Sequence, residues 1–220
     1  MKFQGLIFDL DGTIIDTADI WKKATRELIE SYGVKVTDEM SEELERQLCG
    51  INIQTSCTIL KKEFSLNNSV ENLVEEKNER ACSLYRSGMK FVEGFEQFFK
   101  NVSSRNLKMG VATSSTRKAL NTAKAQLNLE GFFGQHIYDI ACVDNIAKPD
   151  PAIFLYAAKK IGVDPESCFA IEDSPSGVSA AKNAGMFCIG INTAGVPDKI
   201  THADMVIDSY DQIDLEKLIG

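Results

Sequence analysis

Several function classes are excluded by what the sequence lacks. No apolar stretch approaches the roughly 18 or more residues needed to span a bilayer, so no membrane role is expected. Its six cysteines (Cys49, Cys57, Cys82, Cys142, Cys168 and Cys188) form no CxxC pair, and His136 and His202 lack ligand spacing. Neither disulfides nor zinc are therefore expected, and the cysteines read as free thiols of a reducing compartment. Basic charge is also scarce, with 24 lysines and arginines against 32 aspartates and glutamates, a net charge of −8. Nothing here forms a basic stripe that would release counterions from a nucleic acid, so no nucleic-acid partner is expected. Met1-Lys2 runs straight into a short apolar segment ending in aspartates, without the small-residue cleavage site of a secretory signal, and the expected location is cytoplasmic. An acidic protein that handles an anionic substrate needs a local source of positive charge, which points to a metal ion and a well-placed lysine.

What is present is a globular composition. With 44% hydrophobic residues, 220 residues suffice for one sizeable core plus a smaller satellite. Short apolar runs bounded by turn residues alternate with helical patterns from about residue 107 onward, the signature of a parallel α/β sheet. The strands expected are 3–8, 108–112, 137–142, 168–171, 188–191 and 205–207, hydrophobic enough to be buried on both faces. Between the first and second lie roughly 95 residues without a convincing strand, far more than one crossover helix needs. Helical patterns fill the gap over 19–31, 38–48, 54–63 and 70–86, with Thr37 and Ser69 as N-caps. The expected architecture is a three-layer, Rossmann-like α/β core (1–16 and 88–220) with an inserted α-helical cap domain (17–87).

Four segments carry chemistry. The first strand ends in Asp9-Leu10-Asp11-Gly12-Thr13, placing two carboxylates at the carboxyl end of a buried parallel strand, where ligands of such sheets bind. Asp9 suits a nucleophile, and Asp11, two residues on, a general acid and base. A calcium loop does not fit, because Gly12 is the fourth residue of the run and not the sixth. The second strand leads into Thr113-Ser114-Ser115-Thr116 before a helical pattern over 117–127. Hydroxyls and free N–H groups there make an anion site, although a plain N-cap accounts for the same residues. Lys148 precedes Pro149, with Asp150 as an N-cap and Pro151 at the first helical position. A lysine so placed neutralises phosphate as a point charge, and a solvated surface lysine is the alternative. The fourth segment, Glu172-Asp173-Ser174-Pro175, puts two acids at a strand end, the hard oxygen donors that magnesium takes.

Taken together and in this order, the four segments resemble the motifs of the haloacid dehalogenase superfamily, in its β-phosphoglucomutase-like and phosphoglycolate-phosphatase-like branch with a helical cap. The resemblance covers nearly the whole chain. It implies a Mg2+-dependent phosphatase acting on a small phosphorylated metabolite through an aspartyl-phosphate intermediate, with a phosphomutase as the alternative. Asp9 would be the nucleophile and Asp11 the acid and base. Leu10, Gly12, Thr113, Ser114 and Lys148 would surround the phosphate, and Asp9, Asp11, Glu172 and Asp173 the metal. Asp11 separates the chain from the dehalogenase branch, which lacks that acid.

The cap departs from the mutase pattern. Trp21 and Ile53 stand where a β-phosphoglucomutase is expected to carry a histidine and a phosphate-gripping arginine, which favours water as the final acceptor. Lys77-Asn78 does resemble a cap motif of the branch. Asn52 and Trp21 are further candidates for contact with substrate. An ordinary turn accounts equally for Asn52, and helical spacing with Ala24, Leu28 and Ile29 favours a core place for Trp21. The assembly expected is a monomer or small homo-oligomer.

Overall fold

The computed structural model describes residues 3–193, 195 and 199–219. Among these residues six strands form one sheet in the order β3-β2-β1-β4-β5-β6, parallel throughout. They are β1 (Gly5–Phe8), β2 (Lys108–Thr113), β3 (Ile137–Asp139), β4 (Cys168–Glu172), β5 (Phe187–Ile191) and β6 (Met205–Ile207). Four helices, α1 (Ala18–Ser31), α2 (Asp38–Leu48), α3 (Ile53–Glu63) and α4 (Val70–Ser87), lie between β1 and β2. The others are α5 (Phe95–Ser103), α6 (Arg117–Leu127), α7 (Leu129–Phe133), α8 (Ala152–Ile161), α9 (Pro175–Asn183) and α10 (Leu215–Ile219).

Successive side chains of a strand point to opposite faces, and the two faces of the sheet feed separate cores. Leu6 and Phe8 of β1 join Phe169 and Ile171 of β4 on one face, under α5, α6, α7 and α10. Ile7, Ala112 and Ala170 face the other way, against Ile153, Phe154 and Ala157 of α8 and Val178 of α9. These are the three layers expected, with both faces covered as a parallel sheet requires. Helices α1 to α4 carry a hydrophobic cluster of their own, with Leu28, Ile29, Leu44, Leu60 and Leu73 at its centre. Thr37 accepts from Met40 N at 3.2 Å and Ser69 from Asn72 N at 3.2 Å, so both expected N-caps form.

Several boundaries differ from the sequence reading, and three of the differences have a visible cause. The first strand begins at Gly5, because Phe3 and Gln4 spend their N–H groups on Leu218 O and Ser167 O, outside the ladder. The third strand stops at Asp139, where its partner β2 ends at Thr113, and the chain turns into a 3₁₀ segment over Ile140–Val143. Helix α8 starts at Ala152, one residue late, with Pro151 as its N-cap and Asp150 Oδ1 accepting from Ala152 N at 2.9 Å.

Phe95 is the hub of the larger core. Fully buried, its ring stands 5.8 Å from that of Phe8, 5.2 Å from Phe91 and 6.0 Å from Tyr210. Phe95→Ala is expected to cost about 3–5 kcal/mol of stability, the range for removing a buried aromatic side chain. Chemical denaturation with an unchanged m value would register it as a lower midpoint.

Candidate active site

The carboxyl ends of β1, β2 and β4 converge beneath helices α1 to α4 on a cavity of about 260 Å³. Asp9, Asp11, Thr113, Ser114, Lys148 and Asp173 line its floor, and Trp21, Asn52, Ser56, Lys77 and Asn78 its roof. Sequence positions more than a hundred residues apart thus meet at one end of the sheet, as the strand-end reading expects.

Lys148 organises the floor. Its Nζ donates to Asp9 Oδ1 at 2.5 Å, Glu172 Oε1 at 2.6 Å and Ala112 O at 3.0 Å, and the side chain is 4% exposed. Burial alone would pull its pKa down, but the Asp9 and Glu172 carboxylates outweigh that and hold it above the ordinary lysine value. Glu172 is satisfied on both oxygens. Its Oε2 accepts from Asp173 N, Ser174 N and Ser174 Oγ, each at 3.0 Å, at the N-terminus of α9. Ser174 also caps that helix through Gly177 N at 3.1 Å. The absence of a side chain at Gly177 makes room for this, since a Cβ there would lie 1.7 Å from Glu172 Oε1.

Asp9, Glu172 and Asp173 each offer an oxygen within 4.8 Å of the others. Burial first, and then the neighbouring carboxylates, push Asp9 and Asp173 well above the usual carboxylate range, against the pull of Lys148. Four acids with Asp11, and one ammonium, leave uncompensated negative charge in a buried place, and oxygen donors of this kind fit a hard divalent cation. Gly12 allows the approach: its φ is +82°, and a Cβ would fall 2.1 Å from Asp173 Oδ2.

The remaining sequence candidates fall as follows. Asp11 Oδ1 accepts from Tyr85 Oη at 2.7 Å and from Trp21 Nε1 at 3.3 Å, while Oδ2 accepts from Ser115 Oγ. Burial, then the Asp11 charge, push the Tyr85 hydroxyl well above the tyrosine range, so it stays protonated. Thr113 Oγ1 accepts from Ser115 N at 3.0 Å, and Ser114 Oγ is buried without a partner. Leu10 is buried in the core beneath, 1% exposed. Asn52 lines the roof but uses its Oδ1 to cap α3, accepting from Thr55 N at 2.9 Å. Trp21 is half-buried, edge-on to Tyr85 at 6.3 Å. It therefore combines the packing and the site-facing readings, with its ring against Tyr85 and its N–H on Asp11.

Tyr85 escaped the sequence reading as a functional residue, and Ser115, read there only within an anion-binding segment, turns its hydroxyl to Asp11. A signal for Tyr85 was present, because Lys77, Asn78, Ala81, Cys82 and Tyr85 form one buried face of α4 at helical spacing. The upper helices are tied to the core by Ser176 Oγ donating to Gly50 O at 2.6 Å and Lys199 Nζ to Arg46 O at 2.6 Å. Among the described residues no helix is long and apolar enough to cross a membrane.

Lys77 is the buried cation of the roof. It is 4% exposed, its Nζ donates to Ser56 Oγ at 2.7 Å, and burial lowers its pKa from 10.5 to about 8. Between those values the unfolded chain binds the extra proton, so stability rises as pH climbs from about 8 to 10.5. The full difference amounts to about 3 kcal/mol. Lys77→Met is expected to flatten that rise and to raise the unfolding midpoint at pH 7, which thermal unfolding across pH 7 to 11 would test.

The chain matches the family described as haloacid dehalogenase-like hydrolase over residues 6–191. It is 31% identical over 183 residues to a phosphorylated carbohydrates phosphatase of Thermotoga maritima, spanning 83% of this chain and 82% of that one. It is 29% identical to a β-phosphoglucomutase of Bacillus subtilis over 98% of this chain and 93% of the relative. The crystal structure of a Clostridium difficile β-phosphoglucomutase superposes with a TM-score of 0.81 at 29% identity, covering 98% of this chain and 95% of the other.

Proposed function

The chain belongs to the haloacid dehalogenase-like hydrolase family and is a phosphoric monoester hydrolase, and we propose that it is a Mg2+-dependent phosphatase of small phosphorylated metabolites, of the sugar phosphate or phosphoglycolate type. One observation carries this reading: a buried carboxylate, Asp9, is held by a fixed ammonium at the floor of a cavity, with a second carboxylate, Asp11, beside it.

Each residue then has a task. Asp9 attacks phosphorus, the ester P–O bond breaks, and Asp11 gives its proton to the departing oxygen. Asp11, now a carboxylate, takes a proton from water as that water attacks the aspartyl phosphate, which releases inorganic phosphate and restores Asp9. Lys148 holds Asp9 and offsets phosphate charge. Thr113 and the unpartnered Ser114 hydroxyl, with the main chain around Leu10 and Gly12, receive the phosphate oxygens. Asp9 and Asp173 would hold the magnesium, assisted by the main chain at Asp11. Glu172 anchors the group from behind, because its oxygens are already engaged. The ion would supply positive charge to the transferring phosphoryl group. The helices over 17–87 act as a cap whose closure excludes water from the reacting atoms.

Substrate size follows from the cavity. At about 260 Å³ it is at the small end of ligand sites, which suits a compact metabolite and no polymer. Lys77 and Asn78 present an ammonium and an amide from the roof to the group that leaves. The similarity of the T. maritima carbohydrate phosphatase supports a phosphorylated sugar. We place the enzyme in the cytoplasm.

The B. subtilis relative keeps one further reading in play, a phosphomutase. Conversion of a sugar 1-phosphate to the 6-phosphate without free phosphate would establish it, whereas the apolar Ile53 in the cap loop favours hydrolysis.

Phosphate release from a panel of some tens of phosphorylated metabolites is expected to require magnesium, stop on chelation and return when the ion is restored. Asp9→Asn should lower it by at least about a thousandfold. Release that survives this substitution would overturn the mechanism.

A further inference from the structure

Asp11 is gripped unevenly, and the unevenness has a chemical direction. Two groups converge on Oδ1: the Tyr85 hydroxyl at 2.7 Å and the Trp21 indole N–H at 3.3 Å. An indole N–H has no lone pair to offer and can only donate. Oδ1 has two lone pairs, one taken by that N–H and the other by the Tyr85 hydroxyl, which bonds to this oxygen, so a proton placed on Oδ1 would displace one of the two donors. Oδ2 has a different neighbour, the hydroxyl of Ser115, which rotates to donate or to accept as required.

We propose that Tyr85, together with Trp21, is a positioning clamp that fixes Oδ1 of Asp11 and thereby assigns the transferable proton to Oδ2, on the side of Ser115. The inference rests on the reading of Asp11 as acid and base given above. Neither Tyr85 nor Trp21 touches the reacting atoms; both act through Asp11. The clamp also has a single structural origin. Trp21 belongs to α1 and Tyr85 to α4, the first and last of the four helices inserted between β1 and β2. Their rings pack edge to face at 6.3 Å, and Tyr85 is fully buried among Cys82 and Ala119. Asp11, in contrast, belongs to the loop after β1. The acid is therefore oriented only while both ends of the inserted segment are seated on the sheet.

Packing and positioning are separable by experiment. Tyr85→Phe keeps the ring and its contacts and removes only the hydroxyl. The parameter kcat/KM covers the steps up to transfer of the phosphoryl group, including proton donation to the departing oxygen, and excludes the later attack of water. An alkyl phosphate such as glycerol 1-phosphate needs that proton, because an alkoxide leaves poorly. The nitrophenolate of p-nitrophenyl phosphate leaves without it. Tyr85→Phe is expected to lower kcat/KM about tenfold or more on the alkyl ester, a fraction of the 10²–10⁴ that general acid catalysis contributes. On the aryl ester the loss should stay under about twofold. Equal losses on both esters would mark a merely structural role and overturn the proposal, as would an undiminished rate on the alkyl ester. Asp11→Asn serves as the reference. If it splits the two esters and Tyr85→Phe does not, the clamp fails alone; if Asp11→Asn shows no split, the acid reading fails and the clamp with it. Should Tyr85→Phe not fold, as judged by its thermal unfolding, Trp21→Phe removes the other donor and is read by the same ratio.

Discussion

Three strands of this sheet end on one nitrogen. Lys148 Nζ takes Asp9 after β1, Glu172 at the end of β4 and the carbonyl of Ala112 in β2 as its three acceptors, which is all that an ammonium can donate to. Removing one member of such a buried pair typically costs about 3–5 kcal/mol, because the other is left as an unpaired charge in a dry place. The lysine therefore does more than attract an anion. It holds Asp9 in place, and through Glu172 it fixes the approach to α9, since the second oxygen of that glutamate receives the N–H groups of Asp173 and of the N-cap Ser174. Asp9, the helix terminus and the central strands are registered to one another by one side chain.

The same point explains why the floor of the cavity is electrically unfinished. Asp9, Asp11, Glu172 and Asp173 lie around one ammonium, and the chain as a whole carries a net charge of −8. Burial and mutual repulsion raise Asp9 and Asp173 well above the usual carboxylate range. A cation bound there would relieve that repulsion and make the pocket hospitable to a phosphate. In the roof the balance is reversed, with Lys77 buried against a serine hydroxyl and no acid. The two walls of the cavity thus differ in sign before any ligand arrives.

How much of this could be read in the sequence divides along physical lines. The motifs at strand ends were legible because a buried parallel strand is a short apolar run, and whatever polar residue follows it stands at the ligand-binding edge. Asp9, Asp11, Glu172 and Asp173 stood out that way, Lys148 through the proline that follows it, and the helical insertion through 3.6-residue periodicity, which needs no partner to be visible. The third strand was overread, because its length is set by where β2 stops and not by its own residues. Tyr85 and the second role of Trp21 stayed hidden for a related reason. Each sits on an amphipathic face that reads as core, and only the packing of α1 against α4 over the loop of Asp11 brings two ring donors to one oxygen. Glu172 was read by its position at the sheet edge, but what its oxygens face was decided by Ser174 and Gly177, residues that cap and clear the space.

That last arrangement has an implication for how this sequence can change. The carboxylate of Glu172 occupies the volume where any side chain at 177 would begin, so the two sites are a single unit of inheritance. A methyl group at 177 is unacceptable while the glutamate is present, and a shorter acid at 172 would leave the ammonium of Lys148 and the head of α9 without their shared acceptor. Neither position can drift alone. An acceptable exchange would have to alter both at once, together with whatever then balances the lysine, and this narrows the paths open to mutation far more than the modest size of a glycine suggests.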